Sequence, residues 1–373
     1  MTAILSVAIV ITLLTSLVLA TRWRNVVCTG PLPASLFTFI AILFTSGLDV
    51  GLIMFPLVDF EVYATEAPYA FSNPLALEFG FWGFLVWGFY FLTTFYFCIV
   101  EPKLRLFEIP AIKFTNNVVV IGTCAFTGYL FLIYLPSYID GISDTFRYML
   151  VALVILLAAA SSTHIRYVKI LSVSSTWLFF ALIGGIWLAS GMGIGGLAGS
   201  LADVGDYFAN LHRFLLPISD YHQFYLYWWF AWSIMIGQFV SRFVGGIRAW
   251  QLLLALLFVP SIPIAIWFSV LYYHFVHGID ITGFWRIAMI VVGVIFVMNS
   301  LDSLIRLYTL NLGLTVKRLG TAPYVAGNWL VLFSLVLLYQ FTPLEIEWVG
   351  LVVIGIYAAV YALVFLRRDK LLV

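Results

Sequence analysis

Stretches of about 20 apolar residues, separated by short polar connections, recur along the whole chain, and each is long enough to cross a hydrocarbon core roughly 30 Å thick as a helix. They predict spans at about 2–21, 32–56, 78–100, 115–136, 146–162, 168–190, 222–244, 249–273, 283–305, 325–341 and 346–366. The pattern is that of an all-α polytopic membrane protein with about 11 transmembrane helices. The first run has no basic residue before it and no marked cleavage pattern after it, so it reads as a retained span rather than a secretory leader. Residues 191–221, with GMGIGG, DVGDYFANLHRFL and Pro217, are too polar to span and too apolar for a free loop. They predict a surface helix on the outer face. No soluble domain is expected at either end.

Charge orients this arrangement. All but three of the 18 lysines and arginines, from Arg22 and Arg24 through Arg242 and Arg248 to Arg367, Arg368 and Lys370, fall on one side; Arg147, Arg213 and Arg286 are the exceptions. Most acids, among them Asp59, Glu78, Asp140 and Asp220, fall on the other. Basic loops face the cytoplasm, which predicts an integral protein of the plasma or inner membrane with its N-terminus outside and residues 367–373 as a cytoplasmic tail. With 64% hydrophobic and 9% charged residues the chain excludes a water-soluble domain, and its net charge of +1 offers nothing to nucleic acid. Cys28, Cys98 and Cys124 have neither metal-ligand nor disulfide-framework spacing.

The candidate chemistry is aromatic. FYLYWWFAW at 224–232 places Trp228 and Trp232 on one helix face with Tyr225, and Trp229 about 100° round. In FGFWGFLVWGFY, Trp82, Trp87 and Tyr90 follow at spacings of five and three. Such residues either mark the membrane interface or form a cage for a quaternary ammonium, each desolvated ring contributing roughly 0.5 to 2 kcal/mol. FTSGLDVGLIMF sets Asp49 between Gly47 and Gly51 inside an apolar helix, where an acid costs roughly 2.5 to 3.5 kcal/mol. Interrupted mid-membrane helices are where secondary transporters hold substrate and coupling ions; glycines at this spacing also serve close packing. IFVMNSLDSLIRL offers Asn299, Ser300, Asp302 and Ser303 as oxygen ligands, against the simpler reading of a polar helix end in which Asp302 pairs with Arg306. TCAFT presents Thr123 and Thr127, which also suit back-bonding to their own helix. His274, His277 and Asp280, with His212 and His222, lack an HExxH arrangement and read as solvated loop histidines, so no enzyme is expected. GMGIGG follows no strand and reads as the cap of the sixth span.

FYLYWWFAWSIMIGQFVSR followed by GGIR resembles the signature span of the betaine/choline/carnitine transporter family, and WGFLVWGFY, SGLDVGL, NSLDS, TCAFT, HIRYVKILSVSSTW and ATRWRNVVCTG are similar to further segments of that family in the same order. The resemblance implies two inverted five-helix repeats of LeuT type, 32–190 and 222–366, joined by 191–221 and preceded by one extra helix in 1–31, one span short of the family's usual twelve. It implies alternating access around a central site for a small onium substrate, driven by Na+ or H+ with no other cofactor, in a lipid-embedded chain for which the family's assembly is a homotrimer. By matched position, Trp82, Trp87, Tyr90 and Trp229 would form the aromatic box and Trp228 and Trp232 would line the path. Thr123 and Thr127, and Asn299 and Ser300, would hold sodium. Asn299 replaces a threonine, Met235 a phenylalanine, and Asp49 the middle glycine of the family's GMGIG motif. An ionised Asp49 would favour a simple cation such as choline over a zwitterion such as betaine, and a protonated one would carry a coupling proton. The competing expectation is a transporter-like protein without transport, serving as a receptor or structural subunit of a membrane complex.

Overall fold

The computed structural model of the protein describes residues 2–48 and 50–371. The chain opens with α1 (Thr2–Arg22) and a short strand, β1 (Val27–Thr29). The second predicted span is three helices in succession, α2 (Leu36–Ser46), α3 (Val50–Met54) and α4 (Pro56–Thr65). The third is α5 (Pro74–Trp82), a 3₁₀ turn at Phe84–Val86, α6 (Trp87–Phe95), a π turn at Tyr96–Val100, and α7 (Glu101–Leu104). Then come α8 (Pro110–Tyr138), α9 (Asp144–Ser161) and α10 (Ile165–Ala189), followed by α11 (Ile194–Asp203) and α12 (Gly205–Ala209) in the connecting segment. The aromatic helix is α13 (Asp220–Val240), and β2 (Gly245–Arg248) pairs antiparallel with β1, Cys28 opposite Ile247. The rest is α14 (Ala249–Phe258), α15 (Ser261–His277), α16 (Gly283–Asn311), α17 (Val316–Leu319), α18 (Thr321–Phe341) and α19 (Ile346–Leu366).

Among the described residues, nine helical segments are long and apolar enough to cross a membrane. The other two predicted spans fall outside that set for physical reasons. The second is broken after Ser46, and in α13 the tryptophans and tyrosines, with Asp220, His222 and Gln223, lower the hydropathy of a helix that is still 21 residues long. The second span also runs to Thr65 rather than 56, because Pro56 occupies a first helical position, where its missing N–H costs nothing. The eighth breaks between Phe258 and Ser261, at Pro260. Ser35, Asn73, Ser143 and Ser219 each cap a helix start by accepting an amide three residues on.

Each break frees backbone groups that lipid cannot satisfy, and side chains take them up. The Leu48 carbonyl accepts from Ser300 Oγ at 2.7 Å, and the Leu52 carbonyl from the Trp267 indole at 3.0 Å. Between α5 and α6, Phe84 is held at φ +41°, a left-handed conformation disfavoured for a bulky residue. Its N–H donates to Ser261 Oγ at 2.8 Å, and that of Leu85 to the Tyr207 hydroxyl at 3.3 Å. Tyr207 lies on α12, so the connecting segment, read from sequence as a surface helix, also clamps this break.

In the interior α6 packs on α13, α13 on α19, and α10 on α2; α8 and α9 each pack on both α16 and α18. α6 and α13 approach closely along a polar seam. A Cβ built on Gly237 would lie 2.1 Å from Thr93 Oγ1, which donates to the Ser233 carbonyl at 2.8 Å. Gly237→Ala is therefore expected to destabilise the fold by about 1–3 kcal/mol through overpacking, read as a lower melting temperature of the purified protein in detergent. Trp267→Phe keeps the ring but strips the donor from the buried Leu52 carbonyl; a loss of about 1–3 kcal/mol is expected in the same measurement.

Candidate functional site

The two aromatic clusters meet because one helix is broken and the other is not. The interruption at Gly83 and Phe84 offsets α6 from α5, so Trp82 ends one helix and Trp87 begins the next. The unbroken α13 brings Trp229 against Trp82 of α5 and Tyr90 of α6. Trp82 and Trp229 stand at 90° with centroids 5.6 Å apart, Trp229 and Tyr90 at 69° and 6.0 Å, and Tyr90 and Trp87 at 79° and 5.2 Å. The Trp87 indole donates to the Trp82 carbonyl at 3.1 Å, which closes the circuit. Trp229 is fixed in turn by its indole N–H on the Phe81 carbonyl at 2.8 Å. Trp228 stacks on Trp229 at 5.8 Å and meets Trp82 edge-on at 5.6 Å, with Trp232 beyond it at 6.5 Å. All six rings are buried, which removes them from the lipid interface where the simpler sequence reading would put them. The interrupted second span forms an adjoining wall: a Cβ on Gly47 would come within 3.4 Å of Tyr90 and 3.6 Å of Trp87.

The polar candidates are less unified. Ser300 reaches the Leu48 carbonyl beside Gly47 and so touches the broken span. Asn299, next to it on α16, turns to α10: its amide donates to Ser175 Oγ at 2.8 Å and its oxygen accepts from Ser172 at 3.4 Å. Thr127 back-bonds to the Thr123 carbonyl at 3.3 Å, while Thr123 Oγ1 is buried without a partner. No hydrogen bond among the described residues joins these threonines to Asn299 or Ser300. Met235 is buried in the core of α13. Asp49 lies outside the described residues.

Several sequence expectations are corrected. Asp302 is fully buried and accepts from Ser161 Oγ at 2.6 Å and Ser303 Oγ at 3.2 Å; it closes no ion pair with Arg306, which donates instead to the Ser162 carbonyl. His222 and His274, expected as solvated, are buried: His222 accepts from the Ile218 N–H at 3.1 Å and stacks on Phe81, and His274 Nδ1 lies 3.0 Å from the Ile279 carbonyl. Asp59 and Glu78, which the sequence places on the basic-poor side, are both buried. Glu78 was findable by the argument that singled out Asp49, an acid inside an apolar run. The carbonyl-binding tryptophans had no such signal, because their acceptors exist only where helices break.

Residues 120–273, less than half of the chain, match the sequence model of the BCCT, betaine/carnitine/choline family transporter, family. The chain is also similar to the glycine betaine transporter OpuD of Bacillus subtilis (strain 168), 24% identical over 288 residues that make up 63% of this chain and 54% of that protein. It thus spans about half the length of the curated relative it matches. Both matches make this chain similar to betaine/carnitine/choline transporters over part of its length.

Proposed function

We propose that the protein is a secondary active transporter of a small onium compound of the choline, betaine or carnitine type, working by alternating access around the aromatic box. The observation that carries this reading is the closed circuit of Trp82, Trp229, Tyr90 and Trp87. Rings that meet near right angles and lie this close together turn several faces toward one region, the arrangement that cation–π attraction uses. Trp228 and Trp232 have buried indole N–H groups without acceptors, donors suited to the oxygen of an onium ligand's hydroxyl or carboxylate. The likeness to a glycine betaine transporter supports the same class.

Alternating access is supported by helix exchange. α8 and α9 each contact α16 and α18, as two inverted five-helix units, 32–190 and 222–366, would require of their third and fourth helices. The coupling cation is sodium or a proton. For sodium, Ser300 Oγ and the Leu48 carbonyl form an oxygen pair at the broken span, whereas Asn299 is already engaged by two serines. That engagement favours the second reading, a transporter-like subunit that no longer transports. Charge distribution supports an N-terminus outside and a cytoplasmic C-terminus.

The test is quenching of intrinsic tryptophan fluorescence by choline, glycine betaine and carnitine, with and without sodium. Saturable quenching by at least one is expected, and a flat response to all three favours the subunit reading. Trp229→Leu removes one wall and frees the Phe81 carbonyl, so a stability loss of about 1–3 kcal/mol and a loss of onium binding greater than about tenfold are expected. Binding that survives in a monodisperse Trp229→Leu preparation would exclude the box.

A further inference from the structure

One helical turn before Trp82 on α5 stands Glu78, fully buried, with neither carboxyl oxygen hydrogen-bonded. The Tyr63 hydroxyl and the Trp82 indole N–H flank it without closing bonds of good geometry, and both are themselves without partners. On α4, Asp59 is 4% exposed and accepts from the Tyr221 hydroxyl at 3.2 and 3.1 Å and from Tyr225 at 3.5 Å. Tyr63, also on α4, lies beside both carboxyls. The Tyr225 ring meets that of Trp82 at 5.5 Å, so the acids share a wall with the aromatic box.

Two carboxylates in an apolar interior demand a positive charge, and the described residues supply none there. The titratable groups around them are Tyr63 from α4, Tyr69 from the turn that follows it, Tyr221 and Tyr225 from α13, Tyr134 from α8 beside Tyr221, and His222, which stacks on Phe81. No lysine or arginine is among them; the ion pairs of the described residues lie elsewhere, at Lys113–Glu108, Arg147–Asp144 and Arg286–Asp140. His222 uses Nδ1 as an acceptor and is therefore not an imidazolium in this state.

We propose that Asp59 and Glu78, bridged by Tyr63, form a proton-binding site beside the box, and that the proton bound there couples to onium transport. This rests on the transport reading above. A proton from outer water adds to the Asp59 carboxylate. Tyr63 then donates its hydroxyl proton to the Glu78 carboxylate while its oxygen takes the proton from Asp59, so Tyr63 is unchanged, Asp59 is again a carboxylate and Glu78 is an acid. Coupling follows from the shared indole. An ionised Glu78 draws the Trp82 N–H toward itself, and a protonated one releases that wall of the box to settle on a bound cation.

The test uses the purified full chain in liposomes with trapped pyranine. Onium added outside is expected to acidify the lumen, and an imposed pH gradient to drive accumulation. Glu78→Gln is expected to abolish both while retaining exchange of internal for external substrate, and Tyr63→Phe to slow proton entry roughly tenfold or more. Proton entry at the wild-type rate in both variants overturns the proposal, as does wild-type accumulation that needs a sodium gradient and leaves luminal pH unchanged. Infrared spectroscopy separates this from the transport reading. A protonated-carboxyl band that shifts in D2O and vanishes in Glu78→Gln supports the proton site even if no onium binds, and its absence from the wild type overturns it.

Discussion

A bilayer has no water with which to satisfy the backbone of a broken helix, and the architecture follows from how this chain meets that demand. At Leu48, Leu52, Phe81 and Trp82 the freed carbonyls accept from Ser300, Trp267, Trp229 and Trp87. The freed N–H groups of Phe84 and Leu85 are taken by Ser261 and Tyr207. Every one of these side chains comes from a different segment than the group it satisfies, Trp87 excepted. The breaks are therefore stable only in the assembled bundle.

The same bonds build the box. Trp87 and Trp229 have indole nitrogens fixed to backbone, which sets their ring planes. Trp228 and Trp232 have buried indole N–H groups without acceptors. One residue type thus divides into rings anchored to backbone, Trp87 and Trp229, and rings with unpaired donors, Trp82, Trp228 and Trp232.

The acids divide similarly. Asp302 is as buried as Glu78, yet Ser161 and Ser303 hydrogen-bond it, tying α9 to α16. Glu78 has only loosely placed neighbours and a second carboxyl close by. Burial is equal in the two places; satisfaction is not, and it is the unsatisfied one that adjoins the aromatic rings.

The sequence by itself determined the membrane class, the helical spans and their charge bias, because apolar run length and the placement of lysine and arginine are local quantities read without knowing any contact. It also pointed to the six aromatic residues, since ring type and spacing along FYLYWWFAW and FGFWGFLVWGFY are written in the chain. It expected the break at Gly47 but not the one at Gly83, where a single glycine in an aromatic run carries no distinct signal. Only the tertiary structure decided that Trp87 and Trp229 are tied to carbonyls, that Asn299 faces Ser172 and Ser175 while its neighbour Ser300 faces the broken span, and that Glu78 is sealed from solvent. Those outcomes depend on where helices distant in sequence cross, and a periodicity of 3.6 residues fixes a face without naming its partner.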